Sequence, residues 1–275
     1  MVATFECKPI NETNIANQLA HQNISVHHRS SCLITGASGL VGQSITQHFA
    51  AMTAAKDIHL ILTASSSSRL NDSKDLPHTN RHRISTIACE ILDENQWPYL
   101  FKSVQEKVGC PDLIIHAAGA FRWAPAHEFE FAEYSRLLKV NLEFPIALNQ
   151  FFLPDMIQRN SGCLIHFGSI ASVQSYPGGA AYCGSKFGLR GYCQSLFEDV
   201  REYNIKVCSI LPGQISQREG TEAADKHAIE LNDILKTIDF ILSVGGSSCP
   251  TEIILQPQSS YYEKALRKSL TPLKS

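Results

Sequence analysis

A short apolar run, Ser31-Cys32-Leu33-Ile34-Thr35, passes at once into Gly36-Ala37-Ser38-Gly39-Leu40-Val41-Gly42, and then into a helical pattern reaching Phe49 and Met52. Strand, glycine-rich turn and helix in that order commit a chain to one architecture, because the strand is buried on both faces and the helix must cross back over it. The same alternation recurs. Apolar strand patterns cover 58–64, 84–91, 112–116, 163–167, 206–211 and 251–255, and helical patterns cover 93–108, 133–148, 180–203 and 232–243 between them. This predicts an α/β protein, a doubly wound parallel sheet of about seven strands with helices on both faces.

Ligands of such sheets bind beyond the carboxyl ends of the strands. Residues 36–42, Ser65 to Arg69, Ala117 to Gly119 and Ser169 all fall at such ends. Glycines there turn the chain tightly and bring bare amides to a pyrophosphate at a helix N-terminus, although a plain glycine-rich strand-to-helix turn has the same composition. An acidic residue about 20 positions past the glycines would hold an unphosphorylated ribose. The second strand ends without one; Ser65, Ser66, Ser67, Ser68 and Arg69 follow, and Asp57 lies at the wrong end. Hydroxyls and a guanidinium suit a 2′-phosphate, which favours NADP(H) over NAD(H).

Composition removes other classes. With 44% apolar and 18% charged residues the 275-residue chain is globular, and a net charge of −2 offers no footprint for nucleic acid or an anionic membrane. No apolar run reaches the ~18 residues that span a bilayer. The N-terminus lacks a basic flank followed by an apolar core, and nine cysteines without a C-x-x-C pair read as reduced thiols, so a cytoplasmic setting is expected. His27-His28 and the pair His78 and His82 lack metal-ligand context, and no metal site is expected.

The stretch 169–186, SIASVQSYPGGAAYCGSK, carries the chemistry. On a helix Tyr182 and Lys186 sit one turn apart on the same face. An ammonium beside a phenol favours the phenolate, so Tyr182 reads as a proton donor and acceptor near neutral pH, with the hydroxyl of Ser169 aimed at the same substrate oxygen.

From Ser31 to about Pro257 the chain resembles the short-chain dehydrogenase/reductase family. The resemblance rests on the glycine turn, His116-Ala117-Ala118-Gly119, Asn141 within Lys139-Val140-Asn141, Ser169, Tyr182-Cys183-Gly184-Ser185-Lys186 and Leu211-Pro212-Gly213. Two details depart from the pattern of single-domain members. The glycines read Thr35-Gly36-x-x-Gly39-x-x-Gly42, as in the branch that includes sugar-nucleotide epimerases, and His-Ala-Ala-Gly replaces Asn-Asn-Ala-Gly. The resemblance implies a Rossmann-type fold and a catalytic tetrad of Asn141, Ser169, Tyr182 and Lys186, with hydride moving between a nicotinamide and a carbonyl carbon. Asn141 is implied to distort its helix and bind a water leading to Lys186, which also holds the nicotinamide ribose. The implied cofactor contacts are Gly36, Ser38, Gly39, Leu40, Val41, Gly42, Ser65, Ser66, Arg69, Glu90, Ile91, Ala117, Ala118, Gly119, Tyr182, Lys186, Pro212, Gly213 and Ile215, with Ser216 where relatives often place a threonine.

Phe121, Trp123, Val173, Gln174 and Tyr176 flank the catalytic segments and are the expected substrate walls, with Ile215 on the cofactor side. They point to a small, largely apolar carbonyl or alcohol. Residues 214–232 are the expected lid, 1–30 an extension and 258–275 an exposed tail. Homodimers or homotetramers through the helices holding Asn141 and Tyr182 are implied by the family. Two other functions share the glycine turn: a non-catalytic NAD(P)-binding regulator, and an NAD-dependent sugar-nucleotide epimerase or dehydratase, although only about sixty residues follow Gly213.

Overall fold

The computed structural model describes residues 30–53, 58–66, 83–216 and 227–259. The expectations for the N-terminal extension, Arg69, the middle of the lid and the tail beyond 259 lie outside these residues.

Seven parallel strands form one sheet: β1 (Ser30–Thr35), β2 (Ile58–Ala64), β3 (Ile84–Ala88), β4 (Leu113–His116), β5 (Gly162–Phe167), β6 (Ile205–Pro212) and β7 (Glu252–Leu255). Their spatial order is β3-β2-β1-β4-β5-β6-β7. The order reverses between β1 and β4, where a doubly wound sheet opens its binding crevice. The helices are α1 (Leu40–Thr53), α2 (Trp97–Val108), α3 (Phe131–Leu138), α4 (Phe144–Gln158), α5 (Ala180–Val200) and α6 (Leu231–Ser243).

Side-chain alternation along each strand divides the core into two layers. Cys32, Ile34, Leu113, Ile115, Cys163, Ile165, Cys208 and Ile210 pack against Ile45 and Phe49 of α1 and Ile234, Ile238 and Ile241 of α6. Leu33, Ile114, Leu164 and Val207 pack on the other face against α2, α4 and α5, through Leu100, Phe144, Leu148, Phe152, Leu189 and Leu196. Burial on both faces is why these strands read as near-continuous apolar runs.

Two elements differ from their sequence expectation. β3 stops at Ala88 rather than Ile91 because Glu90 starts a turn, its carbonyl accepting from Asp93 N–H. The helix expected over 133–148 is two α-helices joined by one turn of π-helix, Lys139–Glu143, with Asn141 at its centre. The extra residue in that turn rotates Asn141 inward to the sheet, where it is 1% exposed.

At the sheet end away from the crevice, Arg159 ties several strands together. Its guanidinium donates to the carbonyls of Ser161, Cys110 and Pro111 at 2.6–2.7 Å and pairs with Asp112. Asp112 in turn accepts from the Ser31 N–H at 2.8 Å, so the feet of β1, β4 and β5 share one network.

Candidate active site

The loop after β1 leaves the sheet through Gly36 in a left-handed conformation (φ 65°). A Cβ on Gly36 would sit 2.6 Å from the Ala118 Cα, and one on Gly42 would sit 2.1 Å from the Gly36 carbonyl oxygen. Side chains at either position are excluded, and the first turn of α1 is drawn against the bare loop. The first turn of α1 carries no acidic residue. An amide-lined, uncharged helix N-terminus beside a loop of this kind fits the pyrophosphate of a dinucleotide. Ala37 N–H fastens the loop to Thr63 O, and the Ala118 N–H reaches Thr35 Oγ1 at 3.3 Å.

Above the carboxyl ends of β1, β4, β5 and β6 lies a crevice of about 330 Å3. Leu40 and Val41 close it on one side, and residues 117–121 after β4 form its floor. Phe167, Gly168 and Ser169 come from the end of β5, Tyr182 and Lys186 from α5, and Pro212, Gly213 and Ile215 from the end of β6. Five segments of the chain thus line one space, and Ser169, Tyr182 and Lys186 share it.

Ser169 caps the short 3-10 turn Ile170–Ser172, its Oγ accepting from Ala171 N–H at 3.1 Å while Ser172 Oγ accepts from Ser169 N–H. Lys186 is 4% exposed and donates from Nζ to the Phe167 carbonyl at 2.8 Å; burial pulls its pKa down to about 8. Its Nζ lies 6.0 Å from the centre of the Tyr182 ring. The expected acidification of Tyr182 by this ammonium is not the dominant effect. Burial is the largest influence and raises the phenol above its ordinary value, a hydrogen bond with Ser169 opposing it.

Asn141 stands behind the crevice and holds its floor. Its Oδ1 accepts from Ala120 N–H at 2.8 Å, and its Nδ2 donates to Ala120 O at 2.9 Å and to Ser185 Oγ at 3.0 Å. Ser185 passes its proton to the Tyr182 carbonyl at 2.7 Å. Both side-chain N–H groups of Asn141 are therefore engaged by the protein.

Phe121 lines the crevice, its ring edge-to-face with Tyr182 at 4.9 Å. Trp123 stacks on Phe121 and reaches Tyr176. Of the expected substrate walls Phe121 alone lines the crevice; Trp123 and Tyr176 lie behind it in the ring contacts just given, and Val173 and Gln174 are not among the lining residues. The 3-10 turn brings both amides back onto the Ile170 carbonyl, and the Gln174 carbonyl faces the Cys183 thiol. Ser38 and Gly39 belong to the loop under α1. Ser65 and Ser66 follow β2, and exposed Glu90 and half-buried Ile91 follow β3, all toward the β3 edge of the sheet. The lining residues missed in the sequence are Ala120, Phe167 and Gly168; each adjoins an identified one, and that adjacency at a strand end was the available signal.

A larger hollow of about 540 Å3 lies at the opposite end of the sheet among Arg159, Arg201 and Lys206. Its cations already have partners: carbonyls and Asp112 for Arg159, Glu198 for Arg201 and the Val244 carbonyl for Lys206. The residues expected for catalysis line the smaller crevice.

A family model described as short chain dehydrogenase matches residues 30–228. An uncharacterized oxidoreductase of Staphylococcus epidermidis is 21% identical, covering 82% of this chain and 96% of its own. A 3-oxoacyl-acyl-carrier-protein reductase of Thermotoga maritima is 26% identical, covering 67% of this chain and 73% of its own. Among solved structures, a metagenomic short-chain oxidoreductase in complex with NADP aligns with a TM-score of 0.72 and 25% identity, over 84% of this chain and 98% of that one. NAD+-bound xylitol dehydrogenase, at 19% identity, aligns over 85% of this chain and 100% of its own with a TM-score of 0.71, which shows the shared fold.

The chain belongs to the short-chain dehydrogenase family. It is an oxidoreductase that uses NAD(P). Among the described residues no helix is long and apolar enough to cross a membrane.

Proposed function

We propose that this protein interconverts a carbonyl and an alcohol with NADP(H), Tyr182 acting as general acid and base. The observation that carries the reading is the convergence of Ser169, Tyr182 and Lys186 on one crevice, with Asn141 bracing its floor.

When bound, the nicotinamide would supply or accept the hydride at the carbonyl carbon. The residues available to hold the dinucleotide are Gly36, Ser38, Gly39, Leu40, Val41 and Gly42 at its phosphates, and Ser65, Ser66, Arg69, Glu90 and Ile91 toward the adenosine. Ala117, Ala118, Gly119, Lys186, Pro212, Gly213 and Ile215 flank the nicotinamide end. Tyr182 passes its phenolic proton to the substrate oxygen in reduction and takes it back in oxidation. Ser169 donates to the same oxygen and steadies the developing charge. Lys186 would hold the nicotinamide ribose, and its positive charge opposes the effect of burial on the Tyr182 phenol. General acid–base transfer of this kind contributes ~10²–10⁴-fold. Because the Asn141 side chain is engaged with Ala120 and Ser185, a water on the path to Lys186 would be held by its backbone carbonyl. Phe121, Trp123 and Tyr176 form the substrate side.

The absence of an acid among the described residues just after β2 supports NADP(H) over NAD(H). The resemblance to the family supports a homodimer or homotetramer built on the helices around Asn141 and Tyr182. A cytoplasmic setting follows from the composition.

Titration with NADPH and NADH, followed by a carbonyl screen read at the nicotinamide absorbance band, tests the reading. The expected result is tighter NADPH binding, turnover of uncharged ketones or aldehydes, and near-total loss of turnover in Tyr182→Phe with cofactor affinity kept. Cofactor binding without turnover of any carbonyl would favour a regulator, and turnover of a sugar nucleotide would favour an epimerase. Wild-type rates in Tyr182→Phe would reject the assignment.

A further inference from the structure

The substrate side of the crevice has a construction that names a substrate class. The indole of Trp123 lies on the backbone of the loop before α5. A Cβ on Gly178 would meet Trp123 Nε1 at 2.7 Å, and one on Gly179 would meet its Cη2 at 2.7 Å. Gly178 adopts φ 77°, a conformation other residues rarely take, and its carbonyl accepts from the Ala124 N–H at 3.0 Å. Two adjacent glycines and a backbone hydrogen bond thus seat the indole and clasp the loop after β4 to the loop before α5. Tyr176 also meets the indole, tilted at 53° with ring centres 5.9 Å apart. Phe121 stacks on it at 5.8 Å and an interplanar angle of 27°. The edge of Phe121 then meets the Tyr182 ring at 4.9 Å. A row of aromatic rings runs to the catalytic phenol.

The row is open to solvent. Phe121 is 61% and Trp123 is 40% exposed, Phe121 on the lining of the crevice and Trp123 stacked against it. Large exposed aromatics rimming a catalytic cleft mark a contact surface. The described lining offers no carboxylate and no cation other than Lys186. A charge on the substrate near its carbonyl would be desolvated, and the one ionic group in that lining, Lys186, already donates to the Phe167 carbonyl. Arg122, between the two aromatics, is exposed, and its charge is at the rim.

We propose that Phe121, held against Tyr182 by Trp123 on the Gly178-Gly179 seat, selects uncharged substrates with a flat ring next to the carbonyl: aryl ketones and the corresponding secondary aryl alcohols. The proposal rests on the carbonyl–alcohol reading above. Flat rings stack on an aromatic wall with a preference of roughly 2–10-fold over a shape-matched aliphatic group.

The test compares acetophenone, cyclohexyl methyl ketone and 4-acetylbenzoate, which differ in flatness and charge around one carbonyl. In the wild type kcat/KM should favour acetophenone by about fivefold over the cyclohexyl ketone and by a larger factor over the benzoate. Phe121→Leu should bring the first two within about twofold, chiefly through KM. Gly179→Ala, which displaces the indole, should do the same and shift the tryptophan emission spectrum; Trp123→Leu should remove that emission change. NADPH affinity, measured alongside, should stay within about threefold in each variant, which shows that the fold is intact. Equal kcat/KM for acetophenone and the cyclohexyl ketone in the wild type, an unchanged ratio in Phe121→Leu, or a preference for 4-acetylbenzoate would overturn the proposal. Calorimetric binding of the same three ketones to Tyr182→Phe with oxidised cofactor separates this surface from the reaction. Preferential acetophenone binding there supports the aromatic wall even if the wild type turns over none of them, and equal or absent binding defeats it.

Discussion

The imidazoles of His116 and His166 lie face to face on neighbouring strands, their centres 4.4 Å apart and their planes within 10° of parallel. Asn149 of α4 bridges them. Its Oδ1 accepts from His116 Nε2 at 2.8 Å, and its Nδ2 donates to His166 Nε2 at 2.9 Å and to the Tyr192 hydroxyl at 3.2 Å. With the amide in that orientation, His116 carries its proton on Nε2 and His166 on Nδ1. Both Nδ1 atoms are buried without a hydrogen-bond partner among the described residues. The pair is therefore kept neutral: burial pulls His116 down to about 4, and burial with its neighbours His116 and Lys186 pulls His166 well below the usual histidine range.

Acid should unfold this protein through that pair. The unfolded chain protonates its histidines below about 6.5, whereas folded His116 resists until about 4. The unfolded state binds more protons in that window, so stability is full above pH 6.5 and falls as pH drops toward 4. His116 alone accounts for about 3 kcal/mol at the end of that range. Urea midpoints at pH 7, 6 and 5 should fall in order, and His116→Asn should flatten the trend. A slope unchanged in that variant would assign the acid sensitivity elsewhere.

Lys186 should cost stability while serving the site. Its pKa of about 8 lies below the unfolded value of 10.5. Between those values the unfolded chain holds the proton more firmly, so its contribution improves as pH rises from 8 to 10.5. Replacing the ammonium at pH 7 with the isosteric, neutral Lys186→Met should raise the cofactor-free melting temperature and abolish turnover together. A lower melting temperature would show that the bond to the Phe167 carbonyl outweighs the buried charge.

Asn141→Ala should damage fold and site at once. It leaves the N–H and C=O of half-buried Ala120 and the hydroxyl of Ser185 without their side-chain partner, at about 1–3 kcal/mol. Thermal melts measure the loss. Asn141→Asp, which accepts from Ala120 but no longer donates to it, should fall between the two.

Gly42→Ala should act on the cofactor. The new Cβ would overlap the Gly36 carbonyl, 2.1 Å away, and must move either the loop or the start of α1. Dinucleotide affinity, measured by calorimetry, should drop at least about tenfold, whereas Gly191→Ala, whose Cβ meets nothing within 4 Å, should leave it unchanged.

The strands were legible because each is a run of apolar residues buried on both sides, and the glycine turn because nothing else packs so closely. The candidate site was legible as Tyr182 and Lys186 spaced by one helical turn, with Ser169 at a strand end, and the structure brings the three to one crevice. Local patterns failed where distant residues decide. The end of β3 was missed for a nearer reason: Cys89 and Ile91 continue its alternation, but the Glu90 carbonyl accepts from the Asp93 N–H and turns the chain. The acidity of Tyr182 could be argued from Lys186 at i+4, yet burial, which depends on Phe121 and the whole crevice, outweighs it. His116, Asn149, His166 and Tyr192 each look ordinary in the chain, up to 76 positions apart; only the sheet register, with His116 opposite His166, makes them one cluster.

The guanidinium of Arg159 has a mechanical implication. By gripping carbonyls on either side of β4 and β5 and anchoring the carboxylate that caps β1, it gives three strands a common foot. Together with the ladder between β4 and β5, it opposes splaying of these strands. The loops that carry Ala120 and Ser169 thus rise from a base braced at both its hydrogen-bonded edges and its foot.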